Sequence, residues 1–291
     1  MQMLKLQTPV ETGRIGPELS YGDRILVLGS CFADNIGEKL RQHGFSVCVN
    51  PFGTLYNPVS VCSALERLAS GRPFTEGECV ALGAGDGRVG SFSHHTSFAR
   101  ETAEAFLAAA NASLSEASAF WQDCTKIIVT LGTAWCFRHT ATGRVVANCL
   151  KRPAAEFARE RLDVAAAAGL LRAAVAAAPD KDFIFTVSPI RHLKDTAHGN
   201  QLSKSILLLA IDCVASDPEL TGRTGYFPAY EIVMDELRDY RWYAEDLLHP
   251  SAVTVNYLWE RFMDAVLAPG EKETLLEAGE RFRKSQHRPM R

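Results

Sequence analysis

The chain has 291 residues, 47% hydrophobic and 22% charged, with a formal net charge of −3 when histidine is neutral. Those proportions exclude disordered, collagenous and coiled-coil chains. The balance also lacks the broad cationic surface that phosphate-driven nucleic-acid binding needs, so no nucleic-acid partner is expected.

The predicted elements alternate between short apolar β-prone runs and longer helical patterns. The first half holds a strand at Arg24–Leu28 (RILVL), a helix at Asp34–His43, a strand at Ser46–Val49 (SVCV) and helices at Pro58–Ser70 and Glu101–Trp121. Then come a strand at Lys126–Leu131 (KIIVTL), a helix at Ala154–Ala178 and a strand at Asp182–Val187 (DFIFTV). The last third holds a helix at Asn200–Val214, a weak strand at Thr224–Phe227 (TGYF), and helices at Glu231–Asp239 and Ser251–Leu267. Ala and Leu recur at three- and four-residue spacing in the helical stretches, which suits a stripe packed on a sheet. The strands are apolar at nearly every position, as burial on both faces demands. The expected fold is therefore α/β: three layers around a doubly wound, mostly parallel five-stranded sheet of flavodoxin-like type.

Two segments break the rhythm. Thr142-Gly143 lies between β-prone arms in Cys136–Leu150 and reads as a hairpin excursion. Gly71–His95 holds six glycines and little periodicity, and reads as an excursion over the catalytic end. No linker marks a boundary, so residues 1–291 are expected to form one domain, with a short charged helix and a basic, solvated tail from about 270. The start, MQMLKLQTPVETG, lacks a signal-peptide core, and no run approaches the ~18 apolar residues of a membrane span. Eight cysteines stand at least twelve positions apart, which removes C-x-x-C and paired-knuckle zinc patterns. The expectation is a reduced cytoplasmic protein that does not engage membranes; oligomeric state stays open.

In an open parallel sheet, ligands bind beyond the carboxyl ends of the strands, where strand order reverses. After the first strand come Gly29-Ser30-Cys31-Phe32-Ala33 and a helix. Glycine permits a sharp turn, and a serine at the helix N-terminus meets free N–H groups that favour an oxyanion. The plainer alternative is that Ser30 only caps the helix. A serine nucleophile needs a base with its own orienting acceptor. Asp246 stands three residues before His249, a spacing that lets the carboxylate reach Nδ1 and leave Nε2 free. Cys31 is the other nucleophile at this turn. It is set aside on two grounds: consecutive residues at a tight turn point apart, and apolar surroundings raise a thiol pKa. His94-His95 with Asp86 lacks spaced metal ligands, and the glycines of Gly83–Gly90 make no phosphate loop.

The run Gly29-Ser30-Cys31-Phe32-Ala33 resembles the signature of the GSCFA family, which looks like a branch of the SGNH (GDSL-like) hydrolases. The resemblance continues through Asn50–Pro58 (NPFGTLYNP), Thr130–Trp135 (TLGTAW), Thr186–Asp195 (TVSPIRHLKD) and Tyr243–Pro250 (YAEDLLHP). It implies a Ser30–His249–Asp246 triad acting on ester bonds, with Gly53 N–H helping to form the oxyanion hole. The asparagine that SGNH enzymes carry in Gly-x-Asn is missing after Gly132, so its work would fall to Thr133, Asn148, Arg191 or His192. The implied function is an acyl esterase needing no metal or organic cofactor, acting on a small-molecule or saccharide ester. The alternatives are an O-acyltransferase with the same triad, or a non-catalytic carbohydrate- or protein-binding domain.

Overall fold

The computed structural model describes residues 8–286; the predicted absence of a leader at residues 1–7 and the end of the basic tail lie outside them. Five parallel strands form the central sheet: β1 (Arg24–Gly29), β2 (Ser46–Val49), β3 (Lys126–Leu131), β4 (Asp182–Val187) and β5 (Thr224–Phe227). Their order is β5-β4-β3-β1-β2, and every pairing is parallel. The order reverses at β1, which lies between β2 and β3. The doubly wound α/β fold expected from the sequence is the one observed.

The helices are α1 (Cys31–Gln42), α2 (Pro58–Ser70), α3 (Ala103–Asp123), α4 (Val164–Ala176), α5 (Thr196–Ala215), α6 (Ala252–Val266) and α7 (Lys272–Gln286). Strand side chains alternate between faces, and the sheet accordingly divides two cores. Leu26, Leu28, Ile127, Val129, Phe183 and Phe185 pack with α2, α3, α4 and α5. Ile25, Val27, Ile128 and Ile184 pack with α1, α6 and Phe227. Among the described residues no helix is long and apolar enough to cross a membrane.

The helix expected over Ala154–Ala178 is helical only over Val164–Ala176 and is preceded by a strand. Phe157–Arg161 pairs antiparallel with Trp135–His139, which also pairs with Val145–Val146 across the Thr142-Gly143 turn. Arg and Glu at 159–161 read as helix formers, yet alternation decides the matter here. The Arg159 guanidinium lies 4.2 Å from the Trp135 ring centre, while Glu160 on the other face meets Arg138. The helix starts only at Asp163, whose side chain accepts from Ala166 N at 2.7 Å and caps α4. The Gly71–His95 excursion holds a small antiparallel pair, Val80–Ala81 with Val89–Gly90. The segment expected as a helix at Glu231–Asp239 is helical, a short α-helical piece at Ala229–Glu231 running into a π-helix at Ile232–Leu237.

Candidate active site

The carboxyl ends of β1 and β3 carry the site. Gly29 leaves β1 at φ +138°, and a Cβ there would come within 2.1 Å of Thr130 O, so only glycine fits. The turn is held from several sides. Gly29 N donates to Asn50 Oδ1 at 2.8 Å, Leu55 N to Gly29 O at 2.8 Å and Ser30 N to Thr130 O at 3.1 Å. Asn50 Nδ2 in turn donates to Asp34 Oδ1 at 2.6 Å, tying the end of β2 to the first turn of α1.

Ser30 is the N-cap of α1. Its hydroxyl accepts from Phe32 N at 3.3 Å, and the residue is 1% exposed. Among the described residues it makes no hydrogen bond to His249. The hydrogen bond expected between Ser30 and His249 is therefore not formed. Ser30 is buried, and the group of this segment in contact with the imidazole is the Cys31 thiol. Cys31 Sγ lies 3.8 Å from His249 Nε2.

The His249 side is built by one compact turn. Ala244 N donates to His249 O at 2.7 Å, and Leu247, at φ +57°, donates its N–H to Ala244 O at 2.9 Å. Asp246 Oδ1 accepts from the N–H groups of Leu248 and His249, each at 2.9 Å. Its Oδ2 lies 2.5 Å from His249 Nδ1. The His249 and Leu248 backbone N–H groups, then the imidazole, hold the Asp246 carboxyl down to about 2. A carboxylate there fixes the proton on Nδ1, so Nε2 presents its lone pair to Cys31. Ser251 then caps α6 by accepting from Thr254 N at 3.3 Å, which explains why Pro250 and Ser251 follow the histidine. Burial pushes the Cys31 thiol up, so it rests protonated beside its acceptor.

The family model for the GSCFA family matches residues 24–262. The chain belongs to the GSCFA family. No curated protein and no solved structure matches it.

The other expected site residues of this GSCFA-family chain divide by what already occupies them. Gly53 N–H is committed to Asn50 O at 2.8 Å, so it is not a free oxyanion donor; its missing Cβ makes room for His95. Gly132 N and Thr133 N both donate to Tyr56 O, at 2.8 and 2.9 Å. Thr133 Oγ1 contacts Ser203 Oγ at 3.0 Å and accepts from Trp135 N, while Asn148 Oδ1 accepts from Leu150 N at 2.8 Å. These hydrogen bonds hold the loops at the strand ends in place. Arg191 stays by the site: its N–H donates to Leu248 O at 3.3 Å and its guanidinium lies 5.3 Å from the ring centres of both Tyr240 and Tyr243. His192 follows it in the same loop, edge-on to Tyr56 with ring centres 6.3 Å apart.

Lys204 was not singled out in the sequence, because a lone lysine in an Ala/Leu-rich helix reads as a solvated position. It is fully buried, and its ammonium donates to Gly132 O and Ser188 O, each at 2.7 Å, pinning the ends of β3 and β4. Burial pushes its amine down to about 7. His94, weighed for a metal, is instead enclosed by Phe52, Phe74, Phe98 and Phe106, with Nδ1 2.7 Å from Ser91 Oγ. Among the described residues no three His, Cys, Asp or Glu side chains gather as metal ligands.

Proposed function

We propose that this site splits esters through a covalent acyl intermediate on Cys31, with His249 as base and Asp246 as its orienting partner. The observation that carries the reading is the line Cys31 Sγ–His249 Nε2, 3.8 Å, continued by His249 Nδ1–Asp246 Oδ2, 2.5 Å. Catalytic contacts of this kind are commonly long before substrate binds. Its position at the carboxyl ends of β1 and β3, where the strand order reverses, supports the same reading.

The raised thiol pKa sets the order of events. Sγ keeps its proton at rest, so His249 Nε2 takes it as sulfur attacks the carbonyl carbon. The π pair moves to oxygen at the N-terminal end of α1, where the helix dipole favours negative charge. When that pair returns, the C–O bond breaks and the alcohol leaves with the proton from His249. Water, deprotonated by His249, then attacks the thioester, and the thiolate departs and regains its proton. The SGNH-like placement and a saccharide as the alcohol belong to this proposal through family resemblance alone.

The test is hydrolysis of p-nitrophenyl acetate by wild type, Cys31→Ala and Ser30→Ala. Turnover lost in Cys31→Ala, on the order of 10⁶-fold for a triad nucleophile, and kept in Ser30→Ala supports the reading. Turnover kept in Cys31→Ala and lost in Ser30→Ala returns the role of nucleophile to Ser30.

A further inference from the structure

A polar atom beside this line of groups has no partner. His192 Nε2 is sealed from solvent and makes no hydrogen bond with any described residue. A buried polar group in that condition is destabilising, so it asks for a physical reason.

Its surroundings hold it in place. His192 N donates to Asn200 Oδ1 at 3.0 Å, and the ring meets the Tyr56 edge. A Cβ built on Gly132 would lie 3.5 Å from Nε2, so the nitrogen stands against the turn that ends β3. The preceding Arg191 N–H docks the loop on Leu248 O, one residue from His249. Burial first, and then the positive charge of Lys204, push the His192 imidazole down to about 4. The ring is thus neutral at physiological pH and carries one N–H.

We infer that His192, as its Nε2–H tautomer, is the side-chain donor to the carbonyl oxygen of the ester while Cys31 attacks. The inference rests on the Cys31 reading above and adds a catalytic residue to it. As the S–C bond forms and the π pair shifts to oxygen, the N–H donates a hydrogen bond and keeps its proton. The pair returns to carbon as the alcohol leaves. The cover over this buried nitrogen has to open for the oxygen to reach Nε2, and the nitrogen meets its first acceptor there. A donor already shielded from water is worth more to a developing charge than one that must shed solvent.

The experiment is binding of trifluoroacetone, whose ketone forms a reversible hemithioketal oxyanion on a reactive thiol, followed by fluorine NMR. Wild type forms the adduct, Cys31→Ala does not, and His192→Ala and His192→Phe weaken it by ~10²–10³-fold, the share of one oxyanion donor. His192→Gln, which keeps an N–H near the same place, recovers part of the affinity. His192→Phe keeps the ring volume and removes the unpartnered nitrogen, so it melts at or above the wild-type temperature. Alkylation of Cys31 by iodoacetamide develops no oxyanion, and its rate is unchanged in all three His192 variants. An adduct of wild-type affinity in His192→Ala and His192→Phe overturns the role of His192 and leaves Cys31 standing. Slowed alkylation in those variants overturns it too, by showing that His192 only holds the site together. No adduct in wild type overturns the Cys31 reading and this inference with it.

Discussion

Cys31 Sγ and His249 Nε2 meet at 3.8 Å across 218 positions of sequence. Ser30, one residue earlier, caps α1 with its hydroxyl, and Cys31 is the first residue of that helix. Capping and nucleophile are thus divided between neighbours. That division has consequences that can be measured.

Ser30→Ala removes the hydroxyl that accepts from Phe32 N and is expected to cost about 1 kcal/mol of stability, as loss of an N-cap does. A urea titration reads it as a lower midpoint with unchanged slope. Ester turnover at saturating substrate is expected to persist below that midpoint.

Asp246→Asn is expected to lower turnover by ~10⁴-fold while Cys31 remains in place, because an amide no longer holds the proton on Nδ1. The pH behaviour follows from the depressed carboxyl pKa, about 2 in the fold against an ordinary 3.8. The folded state favours the carboxylate, so this stabilising contribution is complete above pH 4 or so and is lost as pH falls toward about 2. Wild type and Asp246→Asn should converge in stability across that window, and acid titrations followed by circular dichroism check it.

Lys204 gives the same sign in a window at higher pH. Its amine is near 7 in the fold against an ordinary 10.5, so between those values the unfolded chain binds a proton that the native state does not. Stability from this group rises with pH through that window. Subtracting the urea midpoints of Lys204→Met from those of wild type at pH 7 and pH 10 isolates the effect; a difference that stays flat or falls counts against the assignment.

Gly29→Ala is expected to damage the fold. The backbone conformation at φ +138° alone costs a side chain on the order of 1–3 kcal/mol. The added Cβ also sits 2.1 Å from Thr130 O, which is backbone and has little room to yield. Thermal melts of the purified variant, or its failure to accumulate as folded protein, measure the loss.

Much of the architecture was legible because its causes are local. Runs such as KIIVTL and DFIFTV are apolar on both faces and β-branched, and all five predicted runs lie in the central sheet. Pro58–Ser70 matched to the residue, since Asn57 caps it, Pro58 suits the first turn and Gly71 ends it in a left-handed conformation. Phe157–Arg161 was misread because its pairing partner lies some twenty positions earlier and nothing inside FARER announces it. The D-x-x-H pair was legible for the opposite reason: one turn contains both residues and the N–H groups that orient them.

By itself the sequence determined the layered α/β frame, the Asp246–His249 pair and the turn after β1, all of them products of periodicity, capping and short-range spacing. Only the tertiary structure decided which side chain of that turn meets His249, that Gly53, Gly132 and Thr133 have their N–H groups committed elsewhere, and that His192 Nε2 has no partner. The reason is geometric. The turn that carries Cys31 is held by Thr130 from β3 and by Asn50 and Leu55 from the loop after β2, two parts of the chain distant from it in sequence.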